Sequence, residues 1–174
     1  MKKIVFKHYF STKLGEMLML SDRERLYLLE FVDRKHLEKI IGRLGVEISA
    51  VEEKIPLQDQ VEKEVNAYFL GQLKTFTLPI GFIGTEFQKA VWNQVCQIKY
   101  GQTSTYQQIA YKMGNAHAAR AIGAANGRNH FAIIVPCHRL LHADGSLADY
   151  AGGLWRKKWL LEHEADDPQA NKGD

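Results

Sequence analysis

Cysteine is scarce in this sequence. There are two in 174 residues, Cys96 and Cys137. Two thiols make no disulfide framework and point to a reducing, cytoplasmic setting. They also fall short of the clustered Cys and His that a structural zinc site takes, so no metal is expected. Long apolar runs are missing as well. None approaches the roughly 20 residues needed to cross a bilayer, so no membrane partner is expected. The start, MKKIVFKHYF, is basic and then apolar, but it has no long apolar region and no small-residue cleavage site. It reads as a first strand rather than a leader. Internal repeats and low-complexity segments are absent, which excludes solenoid and array architectures.

What is present is an ordinary globular composition, 45% hydrophobic and 25% charged, in a chain long enough for one domain or two small ones. The net charge of +3 is unevenly spread. Residues 1–83 carry 13 Lys/Arg against 12 Asp/Glu, whereas residues 112–158 carry seven against two, a net +5 over 47 residues. A local basic field suits an anionic partner, nucleic acid first. The plainer explanation is a solvated basic face.

Along the chain, residues 3–10, 15–20 and 25–32 are short β-leaning runs separated by polar turns, the pattern of an antiparallel meander. Asp33 is placed to cap a helix through Arg43, with Leu37, Ile40, Ile41 and Leu44 at helical spacing. Val46–Val51 reads as a further strand, and a second helix follows Pro56 and stops at Gly71. This first half is a small α+β unit with no paired catalytic residues. The expected organisation is an N-terminal domain over 1–78, a Pro/Gly connector over 79–84, a second domain over 85–166, and a frayed tail over 167–174. Thr85 caps a helix whose stripe of Phe87, Val91, Trp92 and Val95 is read as core.

Two short helices then flank Gly114-Asn115, one over Thr105–Met113 and one over Ala116–Asn126, as in a helix-turn-helix. A plain helical hairpin would look similar. The second helix, AHAARAIGAAN, lacks the Asn, Gln or Ser side chains that read major-groove edges at its centre. A slim helix with one long cation, Arg120, suits close approach to a narrow groove and sequence-tolerant binding.

The stretch IIVPCHRL, Ile133–Leu140, reads as a buried strand ending at a thiol. A thiol reacts as thiolate, and a neighbouring base supplies that form. A buried structural cysteine is the ordinary alternative. A third group should orient His138, and Glu164, Asp149 and Asp144 all compete for that role. Glu164 lies in the amphipathic run WRKKWLLEHE. Between the two, ADGSLADYAGG sets Tyr150 beside Gly152-Gly153, a loop able to wall a pocket for a flat ligand.

Taken together, FQKAVW, YGQTSTYQQIA, AARAIGAANGRN, IIVPCHR, ADGSLADYAGGL and WLLEHE resemble, in order and spacing, the O6-alkylguanine-DNA alkyltransferases. These are also called methylated-DNA–protein-cysteine methyltransferases. The resemblance is close from Phe87 to Glu164. It implies an α+β protein, with a small ribonuclease-H-like N-terminal domain and a mostly α C-terminal domain carrying a winged-helix-like helix-turn-helix. It further implies that Cys137 is the alkyl acceptor, His138 a base acting through water, Glu164 its orienting partner, and Asn129 a tie between the recognition helix and the active-site turn. Arg120, with Ala119 beside it, would fill the gap left by a flipped nucleotide, while Tyr106 presses on the neighbouring phosphate. Tyr150 and Gly152 would line the base pocket, and backbone groups of Cys137, Leu140 and Ala151 would bond the guanine edge.

The implied substrate is double-stranded DNA carrying O6-alkylguanine, and also O4-alkylthymine. The base is flipped out because its alkyl group is unreachable within the stack. The thioether product has no good leaving group, so one protein acts once, as a monomer and without a cofactor. Three positions depart from the family pattern. His130 stands where proline is usual, His142 where a small residue is common, and Lys99 where proline is frequent. Two other functions fit the local motifs, a non-catalytic lesion-binding helix-turn-helix protein and a Cys-His hydrolase.

Overall fold

The computed structural model describes residues 1–167, so the expected frayed tail lies, beyond Asp167, outside the described residues. The chain divides into two compact units, Met1–Ile83 and the part from Gly84 onward.

In the first unit, β1 (Lys3–Thr12), β2 (Gly15–Ser21) and β3 (Leu26–Phe31) form an antiparallel meander. The short β4 (Val46–Ile48) joins β1 in parallel, giving the order β3-β2-β1-β4. Strand alternation sends Val5 and His8 of β1 to opposite faces. On the Val5 side, Leu18, Leu20 and Leu28 pack with Leu37, Ile40, Ile41 and Leu44, in and just after α1 (Leu37–Arg43). On the other side His8 meets Glu62 of α2 (Pro56–Phe69). Every residue of β3 is buried, which is why this strand reads as a nearly continuous apolar run.

Asp33 does not cap α1. The helix starts three residues later than expected, after His36, which sits in the left-handed region with φ 60°. The Pro79–Gly81 segment is bonded to the start of β3, with Leu26 N donating to Pro79 O at 2.8 Å and Gly81 N to Leu26 O at 2.8 Å. A Cβ at Gly81 would stand 2.4 Å from the Tyr27 ring, so this approach requires glycine.

The second unit is mostly helical. Its elements are α3 (Glu86–Val95), β5 (Ser104–Thr105), α4 (Tyr106–Lys112), α5 (Ala119–Gly127), one 3-10 turn (Cys137–Arg139), β6 (Leu140–Leu141) and α6 (Leu154–Ala165). Threonines open α3 and α4 with matching capping boxes, Thr85 with Gln88 and Thr105 with Gln108. The helix expected from Ala116 begins at Ala119. Residues before it close a turn, with Ala118 N on Asn115 O, and Gln107 of α4 captures the Ala116 carbonyl at 2.8 Å.

The expected strand at Ile133–Val135 is not formed. Residues 131–140 are all buried, but Ile133 has φ 70° and the local bonds are turns, Ile134 N to Ala132 O and Cys137 N to Val135 O. Burial without a strand partner produced the misleading apolar run, since periodicity cannot separate the two cases over so short a stretch. A β-branched residue at positive φ stores of order 1–3 kcal/mol of strain, and here it lies four residues before the thiol.

Candidate active site

Cys137 is 4% exposed and opens the 3-10 turn. Asn129 Nδ2 donates to its Sγ at 2.9 Å and also lies 3.3 Å from the carbonyls of Phe131 and Val135. The other end of the amide, Oδ1, accepts from Phe131 N at 2.9 Å. One asparagine therefore fastens the 131–137 turns and places an N–H on the sulfur. The thiol itself faces the Asn126 carbonyl of α5 at 3.8 Å, which couples it to the helix carrying Ala119 and Arg120.

His138 is fully buried. Its Nε2 is 2.7 Å from Glu164 Oε1, and Nδ1 makes no hydrogen bond. Arg139 forks onto the same carboxylate, Nη2 to Oε1 at 2.8 Å and Nε to Oε2 at 2.9 Å, while Nη1 reaches Ile98 O at 2.6 Å. Gly101 N adds a 3.3 Å bond to Oε2. Burial would by itself raise the Glu164 carboxyl, but the bonds and charges of His138 and Arg139 outweigh it and hold the group well below the usual carboxylate range. Burial also lowers the His138 imidazole, against the pull of Glu164 and with help from Arg139 and Lys157. The histidine is therefore neutral near pH 7. A proton on the nitrogen facing the carboxylate leaves the Nδ1 lone pair able to accept one.

Of the competing acids, Glu164 is the one bonded to His138. Asp144 is turned to its own hairpin, bonding Ser146 N and Oγ. Tyr106 opens α4, and its ring lies 6.1 Å from that of His142. Tyr150 meets the His138 ring edge-on at 6.4 Å. Ala119 and Arg120 share the first turn of α5, where Arg120 is exposed, apart from the buried cluster. Ala151 is exposed and Gly152 buried in the turn before α6. Leu140 N bonds Cys137 O, and Leu140 O accepts from Lys157 Nζ, so one lone pair of that carbonyl is already used. His130 packs edge-on to Trp92 at 5.5 Å and beside Phe131 at 4.8 Å.

Comparison with known proteins shows the family. The model of the 6-O-methylguanine DNA methyltransferase DNA-binding domain matches residues 86–166, and that of the ribonuclease-like domain matches residues 5–82. A methylated-DNA–protein-cysteine methyltransferase of Methanosarcina acetivorans is 42% identical over 155 residues, 89% of this chain and 95% of its own. This chain belongs to the methylated-DNA–protein-cysteine methyltransferase family. The Mycobacterium leprae methyltransferase is 40% identical over 87% of both chains. The Mycobacterium tuberculosis OGT crystallised with DNA superposes with a TM-score of 0.79 at 34% identity, covering 92% of each chain.

Sequence reasoning did not single out Lys157 in this methyltransferase. It is 0% exposed, and burial pushes its ammonium down to about 8 against the opposing pull of Cys137 and Asp149. The available signal was its place on α6, where Arg156, Lys157, Leu160 and Glu164 form the buried stripe. Arg139 is the group that holds Glu164 in place, through its fork onto the carboxylate.

Proposed function

We propose that Cys137 accepts an alkyl group from O6 of guanine in duplex DNA. The protein is a DNA-repair methyltransferase, transferring an alkyl group from DNA to a cysteine. The observation that carries the assignment to Cys137 is its sulfur under the Asn129 amide at 2.9 Å, next in sequence to a histidine bonded to a buried carboxylate. Neutral His138 takes the thiol proton at Nδ1 through a bridging water, and the resulting imidazolium is stabilised by Glu164. The Asn129 N–H and the Lys157 ammonium favour the thiolate. Sulfur attacks the alkyl carbon in line. The S–C bond forms as the C–O6 bond breaks, and the electron pair passes to guanine.

Donors at the oxygen relieve the charge on the leaving guanine, and Tyr106, at the start of α4, presses on the phosphate beside the flipped nucleotide. The exposed Arg120 and small Ala119 on the first turn of α5 enter the minor groove and replace the flipped nucleotide. Tyr150, Ala151, Gly152 and Leu140 wall its pocket. The protein acts once, as a cytoplasmic monomer, and O4-alkylthymine is a second substrate.

Incubation with O6-methylguanine duplex is expected to add one methyl mass, mapped to Cys137, and none with Cys137→Ser. Binding without a mass change would favour the lesion-recognition function instead.

A further inference from the structure

Arg156 is 4% exposed, yet its guanidinium does not serve the thiol. Nη1 donates to Gly152 O at 2.9 Å, and Cζ lies 4.6 Å from the centre of the Trp155 ring. Trp155 is 57% exposed, an unusual place for an indole, but it is not loose. A Cβ built on Gly153 would stand 3.2 Å from its Cδ1 and 3.3 Å from its Nε1. Gly153 has φ 95°, donates to Tyr150 O at 2.9 Å and accepts from Lys157 N at 3.2 Å. The Tyr150–Gly153 turn is thus gripped at two successive residues, at the Gly152 carbonyl by Arg156 and along the Gly153 backbone by Trp155. Ordinary packing would be served by an aliphatic side chain, since burying a guanidinium carries a desolvation penalty. A cation stacked on an exposed indole and bonded to a turn carbonyl instead fixes a position and a direction.

We infer that Arg156 and Trp155 form a strut that sets the placement of the Tyr150–Gly153 turn and thereby the fit of the alkylated base. This rests on the assignment of that turn to the substrate pocket. Both are positioning residues. They act through Tyr150, Ala151 and Gly152, and a reacting centre tolerates displacements well under 1 Å. Loosening the turn lowers the transfer step, while DNA affinity, set by α5 and the exposed cations Lys112, Arg120, Arg128 and Lys158, is retained. A looser wall also discriminates less by adduct size, so a methyl group suffers more than a benzyl group.

The test is single-turnover transfer from O6-methylguanine and O6-benzylguanine duplexes over a range of protein concentration, separating limiting rate from half-saturation. Arg156→Leu and Trp155→Ala are expected to lower the methyl limiting rate roughly 10-fold. Half-saturation should stay within about twofold and the methyl-to-benzyl rate ratio should fall. Trp155→Phe, which keeps a ring on Gly153, should recover most of the rate. Hydrogen exchange at the Gly153 amide should quicken in the two disruptive variants and not in Trp155→Phe. Unchanged limiting rates in Arg156→Leu and Trp155→Ala would overturn the strut, as would a loss that appears only in half-saturation. If the wild type transfers no alkyl group, the substrate assignment fails, and Gly153 exchange alone decides the strut. Exchange unaltered by Arg156→Leu then rejects it.

Discussion

The two units bury different things. The first has an apolar interior, with Val5, Met17, Met19, Leu20, Leu28, Leu29, Phe31, Val61 and Tyr68 at full or nearly full burial. Two of its buried carboxylates are paired within the unit, Glu30 with Arg34 and Glu64 with Thr77. The second unit buries Asn126, Asn129, His130, His138, Arg139, Arg156, Lys157 and Glu164, an interior that hydrophobic burial alone would not select. A buried charge network is weak evidence for stability. Its concentration around one thiol marks where stability has been exchanged for chemistry.

The sharpest way to break this contrast is Glu164→Gln. It removes the charge shared by His138 and Arg139, and the transfer rate is expected to fall about 100-fold, as when a positioned acid–base group is disabled. Urea unfolding should show a loss of roughly 3–5 kcal/mol from the uncompensated Arg139. A fall in stability with transfer intact would mean that the carboxylate is structural only.

Leu28→Ala applies the complementary pressure. It should destabilise the first unit by about 2–5 kcal/mol in urea titrations and leave the rate per folded molecule unchanged. A proportionate loss of transfer would erase the functional distinction between the units.

Acid should separate them further. His138 is lowered in the native state, so below its ordinary value of 6.5 the unfolded chain takes up a proton that the native site resists, and stability falls with pH. Glu164 is depressed as well, so its contribution, full above the ordinary carboxylate range, is lost as pH falls through and below that range. Melting followed from pH 7.5 to 4.5 should show the upper part of this decline vanish in His138→Gln.

The smallest effect belongs to Arg23→Ala, which breaks an exposed pair with Glu53 at 2.7 Å in the first unit. About 0.5 kcal/mol or less is expected in the same titration.

Much of this was legible in the residues. Short β-leaning runs between polar turns located β1 to β3. Pro56 located α2, the cap at Thr85 located the start of α3, and the helix read from Thr105 located α4 to within one residue. The local octet around Cys137 was misread in one respect, because a turn buried on all sides carries the same apolar letters as a strand. The start of α5 was missed because alanine is neutral to whether residues 116–118 form a turn or a helix, and Gln107, nine residues before Ala116, decided it.

The sequence by itself determined most element types, the family resemblance and the candidate nucleophile with its neighbouring histidine, because these rest on local periodicity and on chemistry carried by adjacent residues. Only the tertiary structure decided which acid meets His138, what Arg139 and Lys157 are for, and how Asn129 reaches the sulfur. Those contacts join residues 8 to 26 positions apart, and burial raises their strength in a way that no local pattern encodes.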